Sequence, residues 1–167
     1  MNPYRKLLKR LLLFCLPLMF LFYISAFGQA KTYYVAENGS DSNPGTEAVP
    51  WATVDKAAAT MVAGDSVYVK AGTYSGVGLK ISGTAGRYIS YFAYPGHSVK
   101  VGQFYFYKGV SYIKVDGFDF VNGNLEVSGG NNDYNIFSNN TIHSGSSTGI
   151  DFGGDSEGNI IERNIIY

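Results

Sequence analysis

The sequence predicts an all-β fold, a parallel β-helix in which a single α-helix precedes the coils. The main observation is an internal repeat: three eight-residue segments beginning at Ile113, Asn135 and Asn159 align with offsets of 22 and 24 residues. In each segment the first, third, sixth and eighth residues are apolar or Asn. Repeats of this length, made of short strands and bends, are typical of a β-helix, in which one repeat forms one coil.

The repeat also places asparagines at inward positions. Asn140 and Asn164 occupy the sixth position of successive segments, and equivalent positions of a β-helix stack one strand spacing apart, ~4.8 Å. Asparagines stacked at a bend can hydrogen-bond side chain to side chain along the helix axis. We therefore predict a structural stack of Asn140 and Asn164 inside the solenoid.

A second repeat aligns residues 124–130 with residues 149–154. Its inward residues alternate with Glu126 and Asp151, which then point outward as vertical neighbours. Two close carboxylates repel each other unless a cation lies between them or one keeps its proton, and calcium prefers such oxygen ligands. With Asp155 in the following turn, they form a candidate calcium site. The alternative is an ordinary solvated face, whose carboxylates are separated by the twist of the coils.

Helical periodicity in the remainder of the chain is confined to one segment. Apolar residues recur at helical spacing between Trp51 and Val62. Thr53 is placed to cap the N-terminus of this helix, and Gly64 is placed to end it in the left-handed conformation.

The first 28 residues are typical of a secretory signal peptide. Four basic residues precede an apolar run over residues 11–24, and small residues follow it. Cleavage after Gly28 or after Ala30 would leave small residues at the required positions, and both remain open. A membrane anchor is disfavoured because the run is shorter than the ~20 residues that span a bilayer and Pro17 interrupts it. We expect a secreted protein, extracellular, periplasmic or at the cell surface, without stable membrane insertion after cleavage.

Charge and cysteine content exclude several classes of protein. The chain has 13 Lys and Arg against 13 Asp and Glu, and four of the basic residues lie in the leader. The remainder therefore has a net charge of about −4, which disfavours a nucleic-acid-binding domain because nothing would offset the phosphates. The one cysteine, Cys15, also lies in the leader. The mature chain then has neither a disulfide nor a zinc site with cysteine ligands.

Residues 31–167 are assigned to one β-helix domain, with an N-terminal cap over 31–75 and coils over 76–167. Four of its segments together resemble the N-terminal part of secreted right-handed parallel β-helix proteins of the pectate lyase-like superfamily. They are YYVAENGSDSNPGT (33–46), PWATVDKAA (50–58), AGDSVYVKAGTYS (63–75) and ISYFAYPG (89–96). With the later coils the resemblance covers about residues 32–167.

The resemblance implies that the helix lies across the N-terminal end of the solenoid and that the protein acts on sugars. Many members cleave acidic polysaccharides such as pectate or alginate by β-elimination, with calcium on the uronate carboxylate and a Lys or Arg as the base. No Lys or Arg of this chain matches a catalytic motif of the family, so the catalytic residues remain unknown. A glycan is the expected partner, and a complete chain of this kind is expected to be a monomer.

The repeats continue to Ile166 without a closing element. An open last coil is a liability for a repeat protein. We therefore expect a chain truncated at its C-terminus, the N-terminal part of a polysaccharide lyase or glycoside hydrolase. Its catalytic coils are then missing, and the chain alone is expected to be inactive.

The alternative function is a non-catalytic carbohydrate-binding or surface-structural solenoid. Tyr105, Tyr107 and Tyr112 are expected on outward faces, and stacking on sugar rings would need them in one planar row. The two histidines, His97 and His143, are interpreted as lone residues, because no Ser or Asp in the sequence is arranged to make either a general base.

Overall fold

The computed structural model describes residues 28–127, 129–143 and 148–167, so the expected signal peptide, except Gly28, lies outside the described residues. Within those ranges no helix is long and apolar enough to cross a membrane. The described residues form one short α-helix, α1 (Val54–Thr60), and fifteen short strands. The strands are β1 (Thr32–Val35), β2 (Ser66–Val69), β3 (Gly72–Tyr74), β4 (Val77–Leu79), β5 (Ile89–Ala93), β6 (Val99–Val101), β7 (Phe104–Phe106), β8 (Ile113–Asp116), β9 (Asp119–Val121), β10 (Leu125–Val127), β11 (Ile136–Ser138), β12 (Thr141–His143), β13 (Ile150–Phe152), β14 (Ile160–Glu162) and β15 (Ile165–Ile166).

The strands form three parallel sheets, and the chain visits the sheets in turn. Sheet 1 has the order β1-β2-β5-β8-β11-β14, sheet 2 has β3-β6-β9-β12-β15, and sheet 3 has β4-β7-β10-β13. Every strand pair within these sheets is parallel. Each pass around the molecule therefore adds a strand to each sheet, and the predicted parallel β-helix is confirmed.

The register of the coils follows the repeats in the sequence. Phe137 pairs with Val115 on one side and with Ile161 on the other, and Leu125 pairs with Ile150. Both repeats that the sequence indicates are confirmed. Residues at equivalent positions therefore lie directly above one another along the solenoid.

Inward side chains from the three sheets form one continuous hydrophobic core. Five phenylalanines of this core are at most 1% exposed: Phe104, Phe106, Phe118, Phe120 and Phe137. The Phe104 ring packs against Phe118 and Phe120, with centroids 5.6 and 5.4 Å apart. Burial of each such side chain contributes about 1.5–3 kcal/mol, and contacts of this geometry add to it.

Asn140 and Asn164 lie one above the other at the bend between sheets 1 and 2, with Asn140 Nδ2 donating to Asn164 Oδ1 at 3.0 Å. Asn140 Oδ1 also accepts the Phe118 N–H at 3.0 Å. Asn140 Nδ2 donates in addition to the Val115 carbonyl at 3.1 Å. The amide thus satisfies buried backbone groups that the bend takes out of the strand ladder.

Asn135 and Asn159 form a second column at the bend that precedes sheet 1. Asn135 Oδ1 accepts the Ile113 N–H, and Asn159 Oδ1 accepts the Asn135 N–H, each at 2.9 Å. Asn135 Nδ2 donates to the Val110 carbonyl at 3.2 Å. The sequence prediction named only the stack of Asn140 and Asn164, although this pair carries the same signal, an asparagine at an inward position.

The helix covers the N-terminal end of the solenoid. α1 packs against β1 and β4, the first strands of sheets 1 and 3. It thereby shields core and strand edges that would otherwise be open to solvent. Strands β1, β2 and β3 lie within residues 31–75, the segment assigned to the cap, and they already belong to sheets 1 and 2.

The end of α1 differs from the prediction. Thr53 caps the N-terminus as expected, since its Oγ1 accepts the Lys56 N–H at 3.1 Å. The helix ends at Thr60 and not at Gly64, because its C-cap residue, Met61, adopts an extended conformation in which the side chain is completely buried. Gly64 has a φ of +97° in the following turn, where a Cβ would lie 2.8 Å from Arg87 Nη2. This glycine makes room for Arg87 and does not end the helix.

Asp41 ties the loop after β1 to the start of α1. Its Oδ1 accepts the N–H groups of Ala52 and Thr53 at 2.9 and 3.0 Å, and its Oδ2 accepts the Thr53 hydroxyl at 2.8 Å. Burial alone would raise the pKa of Asp41, but these hydrogen bonds and the charge of Lys56 lower it below its ordinary value. The interaction therefore stabilises the fold above about pH 4 and is lost as the pH falls further.

Asn140→Ala is expected to lower the free energy of unfolding by about 2–4 kcal/mol, because it leaves the buried Phe118 N–H and Val115 carbonyl without partners. Asn124→Ala is the control, since the Asn124 side chain makes no hydrogen bond among the described residues, and it should change stability by less than about 0.5 kcal/mol. Urea unfolding followed by circular dichroism measures both. Equal losses in the two variants would contradict the role of Asn140 at the bend.

Candidate functional site

A column of outward side chains on sheet 3 contains two of the residues that the sequence singled out. Gly78, Tyr105, Glu126 and Asp151 occupy equivalent positions on β4, β7, β10 and β13. Their neighbours within each strand point inward, because side chains alternate across a strand. We call these four residues, together with the adjoining Gln103 and Tyr107, the sheet-3 face.

The two carboxylates of the sheet-3 face lie side by side. Glu126 and Asp151 are register neighbours in adjacent coils, and both are half-buried. Gln103 Nε2 donates a hydrogen bond to Glu126 Oε2, which helps to orient this carboxylate. Like charges directly opposite each other destabilise a strand pair. A ligand that donates hydrogen bonds to this pair would offset their repulsion.

The calcium site expected at Glu126, Asp151 and Asp155 stays a prediction. Asp155, the third predicted ligand, is exposed in the turn after β13. Among the described residues, which include all three candidates, no group of three or more His, Cys, Asp or Glu side chains could hold a metal ion. Calcium takes about six to eight oxygen ligands. Glu126 and Asp151 supply too few of these by themselves.

Two tyrosines form an aromatic corner beside the carboxylates. The rings of Tyr105 and Tyr107 have centroids 4.9 Å apart and planes at 87°. Tyr107 leans over Gly78, where a Cβ would lie 2.9 Å from the ring. Lys80 Nζ lies 4.8 Å from the centroid of the same ring. The sheet-3 face thus combines two rings at right angles, two carboxylates, an amide and a nearby ammonium group.

Tyr112 does not join this corner. It lies at the bend between sheets 3 and 1 and stacks on Tyr134, with centroids 5.2 Å apart and planes at 17°. Tyr134 Oη donates to Glu157 Oε1 at 3.0 Å, and this hydrogen bond raises the pKa of Tyr134 above its ordinary value. Tyr105, Tyr107 and Tyr112 therefore do not make the single planar row that stacking on a flat glycan surface would need.

A carboxylate and a histidine meet on the outer face of sheet 2, which the sequence prediction missed. His143 Nε2 lies 2.8 Å from Asp119 Oδ1, and Tyr167 Oη lies 3.5 Å from the same nitrogen. Asp119 Oδ1 is buried and has no well-aligned hydrogen bond among the described residues. Its contact with His143 is an ion pair when the ring is protonated. The prediction that no acid accompanies His143 is wrong. The repeat carried the signal, since Asp119 pairs with Thr141, two residues before His143.

His97 has a local role in the turn after β5. Its Nδ1 accepts the Ala71 N–H at 2.9 Å, and its ring lies 4.8 Å from that of Tyr94. These contacts tie the turn to the preceding coil.

The outer face of sheet 1 carries a ladder of stacked rings. Tyr34, Tyr68 and Phe92 are in register, with successive centroids 5.9 and 5.3 Å apart. Because the rings cover each other's faces, the ladder is poorly suited to stacking on a sugar. The column continues with Asp116 and Ser138. Ser138 stands at an outward position but is completely buried and donates to Asp116 Oδ2 at 2.6 Å.

The family of the chain follows from a match over most of its length. Residues 33–167 match the family described as Pel9A-like, right-handed β-helix region. The chain belongs to this family. The predicted resemblance to pectate lyase-like right-handed β-helix proteins is therefore confirmed.

Solved structures show the same fold. A rhamnogalacturonan lyase is 24% identical with a TM-score of 0.56, over 83% of this chain and 52% of the lyase. Pectate lyase Pel9A is 23% identical with a TM-score of 0.57, over 83% of this chain and 40% of that protein. XylC, solved in complex with xylose, is 17% identical with a TM-score of 0.64, over 75% and 42%. At these identities the likeness shows the fold alone.

A sequence relative gives a partial match. The uncharacterized protein YwoF of Bacillus subtilis (strain 168) is 36% identical over 75 residues, which are 44% of this chain and 16% of YwoF. The chain thus spans a small part of YwoF, and 40–52% of the three solved structures.

Asp151→Asn is expected to raise the melting temperature by about 1–3 °C at low ionic strength, because it removes one of two like charges in register. The gain should shrink in about 0.5 M salt, because salt well above about 0.1 M screens the interaction between exposed charges. Differential scanning calorimetry measures both. The control is Asp155→Asn in the exposed turn, which should leave the melting temperature unchanged. A stabilisation that is the same at both salt concentrations would contradict the repulsion between Glu126 and Asp151.

Proposed function

We propose that this chain is the glycan-binding, N-terminal part of an exported polysaccharide lyase. The observation that carries the proposal is the composition of the sheet-3 face. Sugar rings have apolar faces and hydroxyl edges, so a site for them needs aromatic surface next to hydrogen-bonding groups. Tyr105 and Tyr107 offer the aromatic surface, and Glu126, Asp151 and Gln103 offer the polar groups.

The geometry suits a glycan that runs along the column. Successive coils lie ~4.8 Å apart, so a sugar ring placed against Tyr105 reaches Glu126 in the next coil. Carboxylates accept strong hydrogen bonds from hydroxyl groups. A hydroxyl shared between Glu126 and Asp151 would offset the repulsion between their charges. The right angle between Tyr105 and Tyr107 favours one sugar unit held in a corner over several units laid on a flat surface.

The proposed substrate is an acidic polysaccharide such as pectate or alginate. A uronate carboxylate would be repelled by Glu126 and Asp151, so it has to point toward the opposite end of the column. Lys80 lies at that end, with its ammonium group 4.8 Å from the Tyr107 ring. The face thus sets an orientation in which the sugar carboxylate points toward Lys80 and its hydroxyl groups point toward Glu126.

The cleavage step is proposed for coils outside this chain. In β-elimination a base removes the proton at C5 of the uronate, the electron pair forms the C4–C5 double bond, and the C4–O bond breaks. The leaving oxygen then takes a proton. Support for catalysis elsewhere comes from the two matched lyases, of which this chain covers 40% and 52%. The parent protein is proposed to be exported, as the signal-peptide pattern predicts.

Tyr105→Ala is expected to weaken binding of oligogalacturonate about tenfold, the effect typical of removing an aromatic contact at a binding site. Isothermal titration calorimetry with pectate and alginate oligosaccharides measures it. Tyr34→Ala is the matched control, because Tyr34 is also a half-buried tyrosine but lies on sheet 1, and it should leave affinity unchanged. Equal affinity of the wild type and Tyr105→Ala would contradict the assignment of the sheet-3 face.

The 167-residue chain is expected to bind these oligosaccharides without cleaving them, with or without calcium. The measurement is the ultraviolet absorbance of the unsaturated product during incubation with pectate and with alginate. Unsaturated product from the purified chain would contradict the placement of catalysis on other coils. Binding without product, combined with a full-length protein that also gives none, would favour the alternative of a non-catalytic carbohydrate-binding solenoid.

A further inference from the structure

The carboxylate of Asp65 is buried at the N-terminal end of the solenoid, with 2% of the residue exposed. Its Oδ1 accepts the Lys31 N–H at 2.8 Å, and its Oδ2 accepts the Val62 N–H at 3.1 Å. The Asp65 backbone is also held, since its N–H donates to the Val62 carbonyl and its carbonyl accepts the Ser90 N–H. The carboxylate therefore has a fixed position, with each oxygen facing a backbone nitrogen.

Within the described residues, this buried carboxylate has no side-chain ion-pair partner. The ion pairs of the described residues involve Asp116, Asp119 and Glu162, but not Asp65. Aspartate is rarely buried to this extent unless it is paired with a positive charge. Two neutral N–H donors replace part of the lost hydration, but they carry no net charge. The carboxylate is therefore in place for a cation at the position of one of its N–H donors.

The backbone nitrogen of Lys31 would become such a cation if the peptide bond before it were cleaved. Lys31 is bonded on both sides, since its N–H donates to Asp65 and its carbonyl accepts the Ser66 N–H at 2.9 Å. Residues 28–30 before it are exposed. Gly28 and Ala30 are small residues at the third and first positions before Lys31, which is the pattern that export peptidases require.

We propose that the chain is cut between Ala30 and Lys31, and that the new α-ammonium group of Lys31 forms a partly buried ion pair with Asp65. A signal-peptidase-type protease catalyses the hydrolysis. The Ala30 C–Lys31 N bond breaks, and water supplies a hydroxyl group to the Ala30 carbonyl carbon and a proton to the nitrogen. The resulting amine takes up a further proton from solvent. Because the nitrogen already lies 2.8 Å from Asp65 Oδ1, the ion pair needs no rearrangement.

The ion pair distinguishes the two cleavage positions that the sequence leaves open. Cleavage after Gly28 would keep Lys31 N as a neutral amide. Cleavage after Ala30 converts it into an ammonium group, which adds a Coulombic attraction to the hydrogen bond that already joins this nitrogen to the Asp65 carboxylate. The ion pair then stabilises the chain that starts at Lys31 relative to a chain that starts at Gln29. The inference depends on export, as part of the proposed function, but not on glycan binding.

The first test is the N-terminal sequence and intact mass of the protein secreted by its native source. The expected first residue is Lys31. A first residue of Gln29, any other start, or a retained leader would overturn the proposed cleavage. A glycan-binding assay on the same sample tests the proposed function separately, because the sheet-3 face lies in later coils.

The second test compares chains made with defined N-termini by removal of a cleavable tag. The chain starting at Lys31 should melt about 3 °C or more above the chain starting at Gln29, and above the Lys31 chain whose α-amine is acetylated, which has no charge there. Asp65→Asn should abolish this difference, whereas Asp55→Asn, an exposed residue of α1, should preserve it. If Asp65→Asn does not fold, the acetylated chain decides. Equal melting temperatures of the free and acetylated chains would overturn the ion pair.

Discussion

The in-register hydrogen bonding between successive coils is the interaction on which the rest of the structure depends. Parallel pairing in all three sheets places every residue above its counterpart in the next coil. A side chain therefore meets the same few neighbours wherever it points, inward or outward. The weak places in such a design are the bends, where the strand ladder is interrupted. Here asparagine amides replace the missing backbone partners. The backbone groups at the bends are therefore hydrogen-bonded even though no strand pairs with them there.

The same stacking gives each outer face its own chemistry. On sheet 1, aromatic residues in register cover each other and form a structural ladder. On sheet 2, register brings Asp119 and His143 to ion-pair distance. On sheet 3, a glycine above Tyr105 leaves room for Tyr107 to turn across the column, which produces two rings at right angles next to two carboxylates. One backbone arrangement thus supports different surfaces, and the identity of a few outward residues decides which of them suits a ligand.

The sequence could predict the fold because the fold is periodic. A repeat of 22–25 residues fixes which side chains lie above one another, and the alternation within a strand fixes which of them point outward. The neighbours Glu126 and Asp151 follow from these two rules alone. The pair of Asp119 and His143 was missed because it is diagonal, joining one position to the position two residues further in the next coil. Register gives the vertical neighbours directly, but diagonal contacts also depend on side-chain length and rotamer.

Local features outside the repeat were harder to predict. Gly64 has the positive φ expected of a helix-ending glycine, yet the helix stops earlier because burying Met61 in the core outweighs continuing the helix. Ser138 stands at an outward position but is covered by its neighbours and bonded to Asp116. In both cases tertiary packing decides, and packing around a single residue leaves no periodic signature in the sequence. The angle between the rings of Tyr105 and Tyr107 is likewise decided by packing and leaves no periodic signature in the sequence.

The asparagine columns also affect the order in which the hydrogen bonds of the coils can be completed. In both columns the amide of a later coil bonds the backbone of the coil before it: Asn140 accepts the Phe118 N–H in one column, and Asn135 accepts the Ile113 N–H in the other. The bends of a coil are therefore left with unpaired polar groups until the following coil has been added. In a chain that emerges N-terminus first, during synthesis or during export, each coil would complete its hydrogen bonds only when the following coil has emerged. The last coil formed therefore has bend groups without these asparagine partners until the next coil pairs with it.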